Sequence, residues 1–589
     1  MSRIIFSIIL LLSFSFASGQ WSVLDTDPRY LKNKANNHSY QPFTPAEWNA
    51  SNFASAKDMQ WFNDARYGMF ISYGLSSYVN KDLSWPIVIN HKMPDPGHGT
   101  YPDSAWQKTW PSLWKMEKFN AAEWVQIAKD AGMKYIVIIV KHHDGFHLWD
   151  TKFSDFKITN TPFKRDYLRE LVDACHKAKM PIGIYYSQRD WYHPDYAPYD
   201  TTKVDRTPAP PFVKAKPGQE LVQGPTHKKY IEYQYNVIRE LLTNYGKIDL
   251  FWFDALWFGG MFTADMWDAE NLTRMMRKLQ PHIIINNRAS IPGDYDTPEQ
   301  RIGMYQSRPW ESCMTLNGSW AFDPVPPMKT TKTLIREMLA AAAGNGNVLL
   351  SWGAKFDGAF DSAQKDTLLN VGKWLKKNGQ AYYGTRGGPW MPDQNFGSVY
   401  KQNQVYLYVY DWKPEGLLLP FLKNNAITKM AFLNIPGKVS WKMSGQNLQI
   451  TKPQKPDNIV TIIAITLSKP VTQIIESNVA TIFDDPAFGN KYFTKEIKNS
   501  EWDHKEYNID LGKAMNVTGI RIYENGRAIT VSTSANATDW QEAGQAVGES
   551  TDIPITTFST GAYLPGKHLR YIRLKADNPS SLKLDLYVK

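Results

Sequence analysis

An apolar strand that ends in a carboxylate, Leu250-Phe251-Trp252-Phe253-Asp254, is the segment whose residue types bear most directly on chemistry. A second acid follows in the loop Asp296-Thr297-Pro298-Glu299. Two such carboxyls could break a glycosidic bond with retention: one attacks the anomeric carbon while the other, protonated and about 5 to 5.5 Å away, gives its proton to the leaving oxygen. Asp254 suits the nucleophile because aromatic neighbours limit its hydration and the strand fixes its direction. Glu299 suits the acid, since a loop beside Pro298 can place it at a pocket mouth, where partial desolvation holds the proton. Glu311, in Arg308-Pro309-Trp310-Glu311, competes for that role, and the sequence leaves the choice open. A structural salt bridge is the plainer alternative for either glutamate.

Other strand ends are polar as well: Lys141-His142-His143-Asp144-Gly145, Tyr185-Tyr186-Ser187 and Asn286-Asn287-Arg288. One polar end would be a cap; several in register predict a sugar-sized polar pocket at the C-terminal face of a barrel, where such enzymes keep their sites. His142 and His143 could suggest a metal pair, but neighbours on a strand point to opposite faces and no third ligand stands at a usual spacing. No metal is therefore expected, and neutral imidazoles that hydrogen-bond hydroxyls fit better. Arg288 supplies a charged donor to the sugar or, structurally, a buried ion pair. The chain holds 22 Trp and 31 Tyr, flat faces on which sugar rings stack and which equally fill a large core.

The elements that must position these residues alternate between apolar strands and amphipathic helices from about 65 to 385, which predicts a parallel α/β fold. Strands are expected at 67–74, 135–140, 182–186, 248–253, 283–285 and 348–350. Helices fall between them at 121–133 (capped by Asn120), 165–180, 229–245, 264–279 and 331–343. A closed barrel needs seven or eight units, so 299–327 must hold a weak or irregular strand. After a Gly/Pro cluster at 384–389 the helical period vanishes, and short alternating strands such as 404–409 predict a small sandwich to about 467. A third all-β segment follows Lys469-Pro470. The expected architecture is thus a (β/α)8-like TIM barrel over 20–386, a β-sandwich over 387–469 and a second sandwich over 470–589.

Residues 1–19 have the build of a secretion signal: Arg3 at the start, apolar 4–16, then Ala17-Ser18-Gly19. The apolar run is shorter than the roughly 20 residues of a spanning helix, so no membrane span is expected and the mature chain is placed outside the inner membrane, in the periplasm. Only Cys175 and Cys313 occur, which favours two buried thiols over a disulfide framework. The net charge of +10 is spread along the chain without a dense basic run, which excludes a nucleic-acid partner.

With these motifs in view, the first 470 residues resemble the family 29 α-L-fucosidases, which are retaining glycoside hydrolases. The likeness rests on Lys141-His142-His143-Asp144-Gly145-Phe146 with Leu148-Trp149-Asp150, on Gly183-Ile184-Tyr185-Tyr186-Ser187, on Trp252-Phe253-Asp254 and on Thr297-Pro298-Glu299. It implies an irregular (β/α)8-like barrel followed by a β-sandwich, Asp254 as nucleophile and Glu299 as acid/base. His142, His143, Tyr185, Trp252 and Arg288 then bind the terminal sugar of a fucosylated oligosaccharide or glycoconjugate, with no cofactor. The last 120 residues resemble a discoidin-type (F5/8 type C-like) carbohydrate-binding module, through Tyr507-Asn508-Ile509-Asp510-Leu511-Gly512 and Arg570-Tyr571-Ile572-Arg573-Leu574.

Two departures stand out. The family's Gly-x-Phe-x-His-Trp-Gly becomes Gly68-Met69-Phe70-Ile71-Ser72-Tyr73-Gly74, and its Asn-x-Gly-Pro becomes Ser351-Trp352-Gly353-Ala354, which would bring a large ring near the pocket. Trp85 and His91 are candidates for the lost contacts, and Glu311 for a further one. The alternatives are an α-L-galactosidase or related α-L-glycosidase, with Ser72 opening the pocket, or a catalytically silent glycan-binding protein.

Overall fold

The computed structural model describes residues 53–87, 101–254, 265–471 and 490–588 of the chain, apart from gaps inside the last three spans, the longest covering 206–213. The expected leader at 1–19 and His91 lie outside the described residues. Seven parallel strands form the first sheet: β1 (Tyr67–Ile71), β2 (Tyr135–Lys141), β3 (Ile182–Ser187), β4 (Leu250–Asp254), β5 (Ile284–Ile285), β6 (Glu311–Thr315) and β7 (Asn347–Trp352). Their order is β5-β4-β3-β2-β1-β7-β6, so the first and last units of the region meet in mid-sheet, as they do when a sheet curls into a barrel. All seven are buried, as strands covered on both faces must be.

The gap between β5 and β6 is spanned by residues 293–300. The amide of Asp294 donates to the carbonyl of Ile285 (2.7 Å), that of Asp296 to Pro309 (3.0 Å), and that of Cys313 to Pro298 (3.1 Å). Parallel bridges Asn286↔Tyr295, Asp296↔Trp310 and Glu299↔Cys313 accompany them. The stretch 299–327 does hold a further strand, but β6 is regular, and the irregular piece precedes it in 293–300, where Pro298 has no amide hydrogen to give the ladder.

Helices α1 (Ala56–Ala65), α2 (Ala121–Asp130), α3 (Tyr167–Ala178), α4 (His227–Asn244), α5 (Ala269–Leu279), α6 (Thr331–Ala343) and α7 (Ser362–Asn378) surround the sheet. Asn120 caps α2 and Asp166 caps α3, each side chain accepting an amide hydrogen of the first turn. The apolar faces of α2 to α7 join the outward residues of the strands in one core that includes Trp124, Leu171, Ile238 and Leu339, whereas Met59, Phe62 and Ala65 of α1 pack into the cluster inside the curl. Inside the curl a second cluster gathers Phe70, Tyr135, Val137, Tyr185, Trp252, Tyr295 and Cys313.

Beyond α7, an antiparallel sheet built from Arg386–Gly387, Phe396–Lys401, Gln404–Val409, Thr461–Leu467 and Ile427–Phe432 faces a smaller one of Leu417–Pro420, Asn447–Ile450 and Trp441–Ser444. Val405, Leu407 and Ile463 from the first and Leu419, Leu448 and Ile450 from the second close a common core. Residues 490–588 form a further antiparallel sheet around the long strand Glu506–Tyr523. Cys175 and Cys313 are free and buried. Among the described residues no helix is long and apolar enough to cross a membrane.

Candidate active site

Side chains that point into the curl alternate along each strand, and the layers differ in polarity. Along each strand an apolar or aromatic residue gives way, two residues further on, to a polar one: Phe70 to Ser72, Tyr185 to Ser187, Trp252 to Asp254 and Leu349 to Ser351, with Tyr185 beside Trp252 and Ser187 beside Asp254 in register. Asp254 ends β4 at this upper level with its side chain 8% exposed. The Tyr185 hydroxyl donates to its Oδ2 (2.5 Å) and Arg288 Nη1 donates to Oδ1 (3.1 Å). Burial, with the Asp254 charge, keeps the Tyr185 phenol protonated and hence a donor. Arg288, in the turn after β5, also reaches Glu299, with Nη2 2.9 Å from Oε2. One guanidinium therefore bridges the two acids, and its plane lies over the Trp252 ring, 4.5 Å from the centroid. Glu299 is the more open partner, its side chain 26% exposed against 8% for Asp254.

His142 and His143 follow β2. The backbone amide of Ser84 donates to His142 Nδ1 (3.3 Å) and the Ser84 hydroxyl lies 2.7 Å from the same nitrogen. An amide N–H can only donate, so Nδ1 is the unprotonated nitrogen and Nε2 carries the hydrogen. His143 Nδ1 contacts the Ser187 hydroxyl at 2.5 Å. Burial, reinforced by Lys141, pushes the His142 pKa down to about 3, and burial with His142 beside it drives His143 well below its ordinary value. Both imidazoles are neutral over any ordinary working pH.

The expectation that the two rings diverge is corrected: their centroids are 3.9 Å apart, and they and Asp254 offer ligand atoms within 4.8 Å of one another. Strand alternation does not reach them because β2 ends at Lys141. Two imidazoles and a carboxylate suit a divalent ion in donor type, yet Asp254 already faces the Arg288 cation and the Tyr185 hydroxyl, so the charge balance around it suits a neutral ligand better. Trp85 joins the site through His143, meeting its ring edge-on at 5.4 Å, and continues to Trp191 at 5.7 Å.

Glu311 is a second correction. It opens β6 at the floor of the curl with no exposed surface, accepts from Trp252 Nε1 (3.1 Å) and from the Tyr135 hydroxyl, and faces no opening. Desolvation pushes its pKa up to about 7. A third concerns Trp352, whose ring stacks on Phe360 at 3.8 Å in the outer, helix-facing core and not in the pocket. Ser72 and Ser351 hydrogen-bond each other (2.8 Å), and Ser351 donates onward to the Trp320 carbonyl (2.9 Å). The sequence reading missed Ser84, for which a serine in a loop gives no signal. It also gave no role to Asn287 and Thr297, although both stand inside quoted motifs: Thr297 Oγ1 accepts from Arg288 Nε (2.9 Å) and donates to Asn287 Oδ1 (2.8 Å).

A curled parallel sheet with two acids under one arginine, aromatic faces and neutral histidines at its C-terminal edge is the build of a barrel glycoside hydrolase. The α-L-fucosidase family model matches residues 32–380, and the chain belongs to that family. A tissue α-L-fucosidase of Mus musculus is 27% identical over 437 residues, 68% of this chain and 89% of its own length. Among solved structures, α-L-fucosidase isoenzyme 1 of Paenibacillus thiaminolyticus is 29% identical with a TM-score of 0.58, over 70% of this chain and 99% of its own. The α-L-fucosidase of Vibrio sp. strain EJY3 shares the fold over 91% of this chain and 99% of its own, at a TM-score of 0.60 and 20% identity.

Proposed function

We propose that this chain is a retaining exo-glycosidase that removes terminal α-L-fucosyl residues from oligosaccharides or glycoconjugates. The observation that carries the residue assignment is the shared guanidinium of Arg288, which holds Asp254 at the strand tip and Glu299 in the loop at one end of the pocket. Asp254 attacks C1 as the Glu299 carboxyl gives its proton to the leaving oxygen. Glu299 then takes a proton from water, whose oxygen displaces Asp254 and frees the sugar with its configuration retained. His142 Nε2–H, His143 and the faces of Trp252 and Trp85 hold the hydroxyls and ring, and no metal step is invoked.

Aryl α-L-fucosides test this reading. Wild type should release the aryl group and give α-L-fucose as the first-formed anomer, the retained outcome of double displacement, and Asp254→Ala should lose activity by about 10³-fold or more. Azide should rescue Glu299→Ala; equal rates for wild type and Asp254→Ala would indicate a silent glycan binder. One observation favours a wider sugar range: the short Ser72–Ser351 pair at the upper layer. Hydrolysis of aryl α-L-galactosides at rates near those of fucosides would shift the reading to that class. The remaining organisation is proposed on sequence grounds: a leader at 1–19, export to the periplasm, a barrel over 20–386, a sandwich over 387–469, and a carbohydrate-binding module over 470–589.

A further inference from the structure

Arg288 must meet two acids with one planar group, and what fixes its rotation is a neutral hydroxyl. Its Nε donates to Thr297 Oγ1 (2.9 Å) and its Nη2 to the Thr297 carbonyl (3.1 Å), so a single residue holds the guanidinium along one whole edge. Thr297 is itself fixed. Its hydroxyl hydrogen goes to Asn287 Oδ1 (2.8 Å), and Asn287 Nδ2 reaches Asp296 Oδ1 (3.3 Å). The direction of every bond follows from chemistry: Nε–H of arginine only donates, which leaves the Thr297 hydroxyl to accept it and to spend its own hydrogen on the Asn287 oxygen. All of these groups are buried, Thr297 at 8% and Arg288 and Asn287 at 3% exposure, so water competes poorly for them.

We infer that Thr297 is a positioning residue for the acid/base step. By holding the Nε edge it leaves one terminal nitrogen aimed at Asp254 and the other at Glu299, and because it lies two residues before Glu299 it ties the acid's loop to the same guanidinium. Without the hydroxyl the guanidinium can turn about its long axis, and Glu299, which is held by an isolated bridge and not by a regular strand, loses its direction before the strand-borne Asp254 does. The inference rests on the proposed roles of those two acids.

The test separates acid assistance from everything else by varying the leaving group. Wild type, Thr297→Val (same shape, no hydroxyl) and Thr297→Ser (hydroxyl kept) are assayed on α-L-fucosides from 2,4-dinitrophenyl, which departs without a proton, to a simple alkyl, which needs one. Thr297→Val should lose about 10- to 100-fold in kcat/KM on the alkyl fucoside and under about threefold in kcat/KM on the dinitrophenyl one, because this ratio reports the step in which the leaving group departs and not the later attack of water, with Thr297→Ser near wild type. Activity on the dinitrophenyl substrate serves as the folding control. If Thr297→Val does not fold, Asn287→Ala, which removes the acceptor of the threonine hydrogen, should give the same leaving-group trend. A deficit equal across leaving groups, no deficit, or failure of Thr297→Ser to restore activity overturns the inference. A wild type inactive on every fucoside instead overturns the proposed function.

Discussion

At the scale of single residues, two glutamates of similar sequence prospects end in opposite environments. Glu299 stands in a loop that reaches the pocket edge, while Glu311 lies at the floor between Tyr135 and Trp252. Burial raises the Glu311 pKa from 4.5 to about 7, so the folded state favours its protonated form. Its contribution to stability is therefore fully present below pH about 4.5 and is lost as pH rises through about 7, a change on the order of 3 kcal/mol. Glu311→Gln lacks this titration. Melting temperatures of wild type and Glu311→Gln, followed from pH 4.5 to 8, should show wild type falling relative to the variant as pH rises, and parallel curves would refute the assignment. Asp254 and His142 were legible in the sequence because strand ends carry them. The placement of Glu311 was not: an acid next to Trp310 looks alike at either end of a strand until the register Glu311↔Asn347 fixes it at the floor.

At the scale of elements, the irregular segment 293–300 both completes the sheet's curl and carries Glu299. Its anchor is Asp294, which accepts from the amides of Ala54 (2.6 Å) and Ile285 (2.7 Å) and pairs with Arg277 (2.6 Å) from α5. Gly293 before it has φ +60, and a Cβ there would stand 2.3 Å from the Asn286 carbonyl oxygen, so the turn into the segment requires glycine. Replacing Asp294 by Ala leaves the Arg277 guanidinium buried without its carboxylate. The expected cost is about 3 to 5 kcal/mol, with kcat on aryl fucosides falling more than KM rises because the acid's loop loses its root. Chemical denaturation and steady-state kinetics of Asp294→Ala measure both, and an unchanged kcat in a destabilised protein would separate the anchor from the site. The strands of the barrel were legible because a strand buried on both faces is a continuous apolar run, as at 135–140. Segment 293–300 was not, because it is held by isolated bridges and side chains that leave no period in the sequence.

At the scale of the molecule, the regions that follow the barrel are joined to it unequally. Arg336 of α6 donates to the Ile459 carbonyl (2.7 Å) and grips the Asp411 carboxylate with two nitrogens (2.9 and 3.1 Å). Val399, Tyr408, Val460 and Ile462 of the adjoining sheet also belong to the main core, so that sheet and the barrel share apolar surface and should unfold together. The sheet at 490–588 is different. Among the described residues its core of Ile520, Ile522, Val531, Ile572, Leu574, Leu584 and their neighbours draws on that span alone. A unit with its own closed core melts by itself, so calorimetry of the full chain should show two transitions, and a chain ending at residue 471 should keep only the one assigned to the barrel and its sheet. That shortened chain should hydrolyse an aryl α-L-fucoside within about twofold of the full chain, since Tyr185, Arg288, Ser84 and Ser187, which hold Asp254, Glu299 and the histidines, all lie before residue 471. On a gel containing fucosylated glycan it should migrate unretarded where the full chain is slowed, if 470–589 binds carbohydrate as proposed. A single transition, or loss of aryl-fucoside hydrolysis on shortening, would mean instead that the last sheet supports the catalytic region.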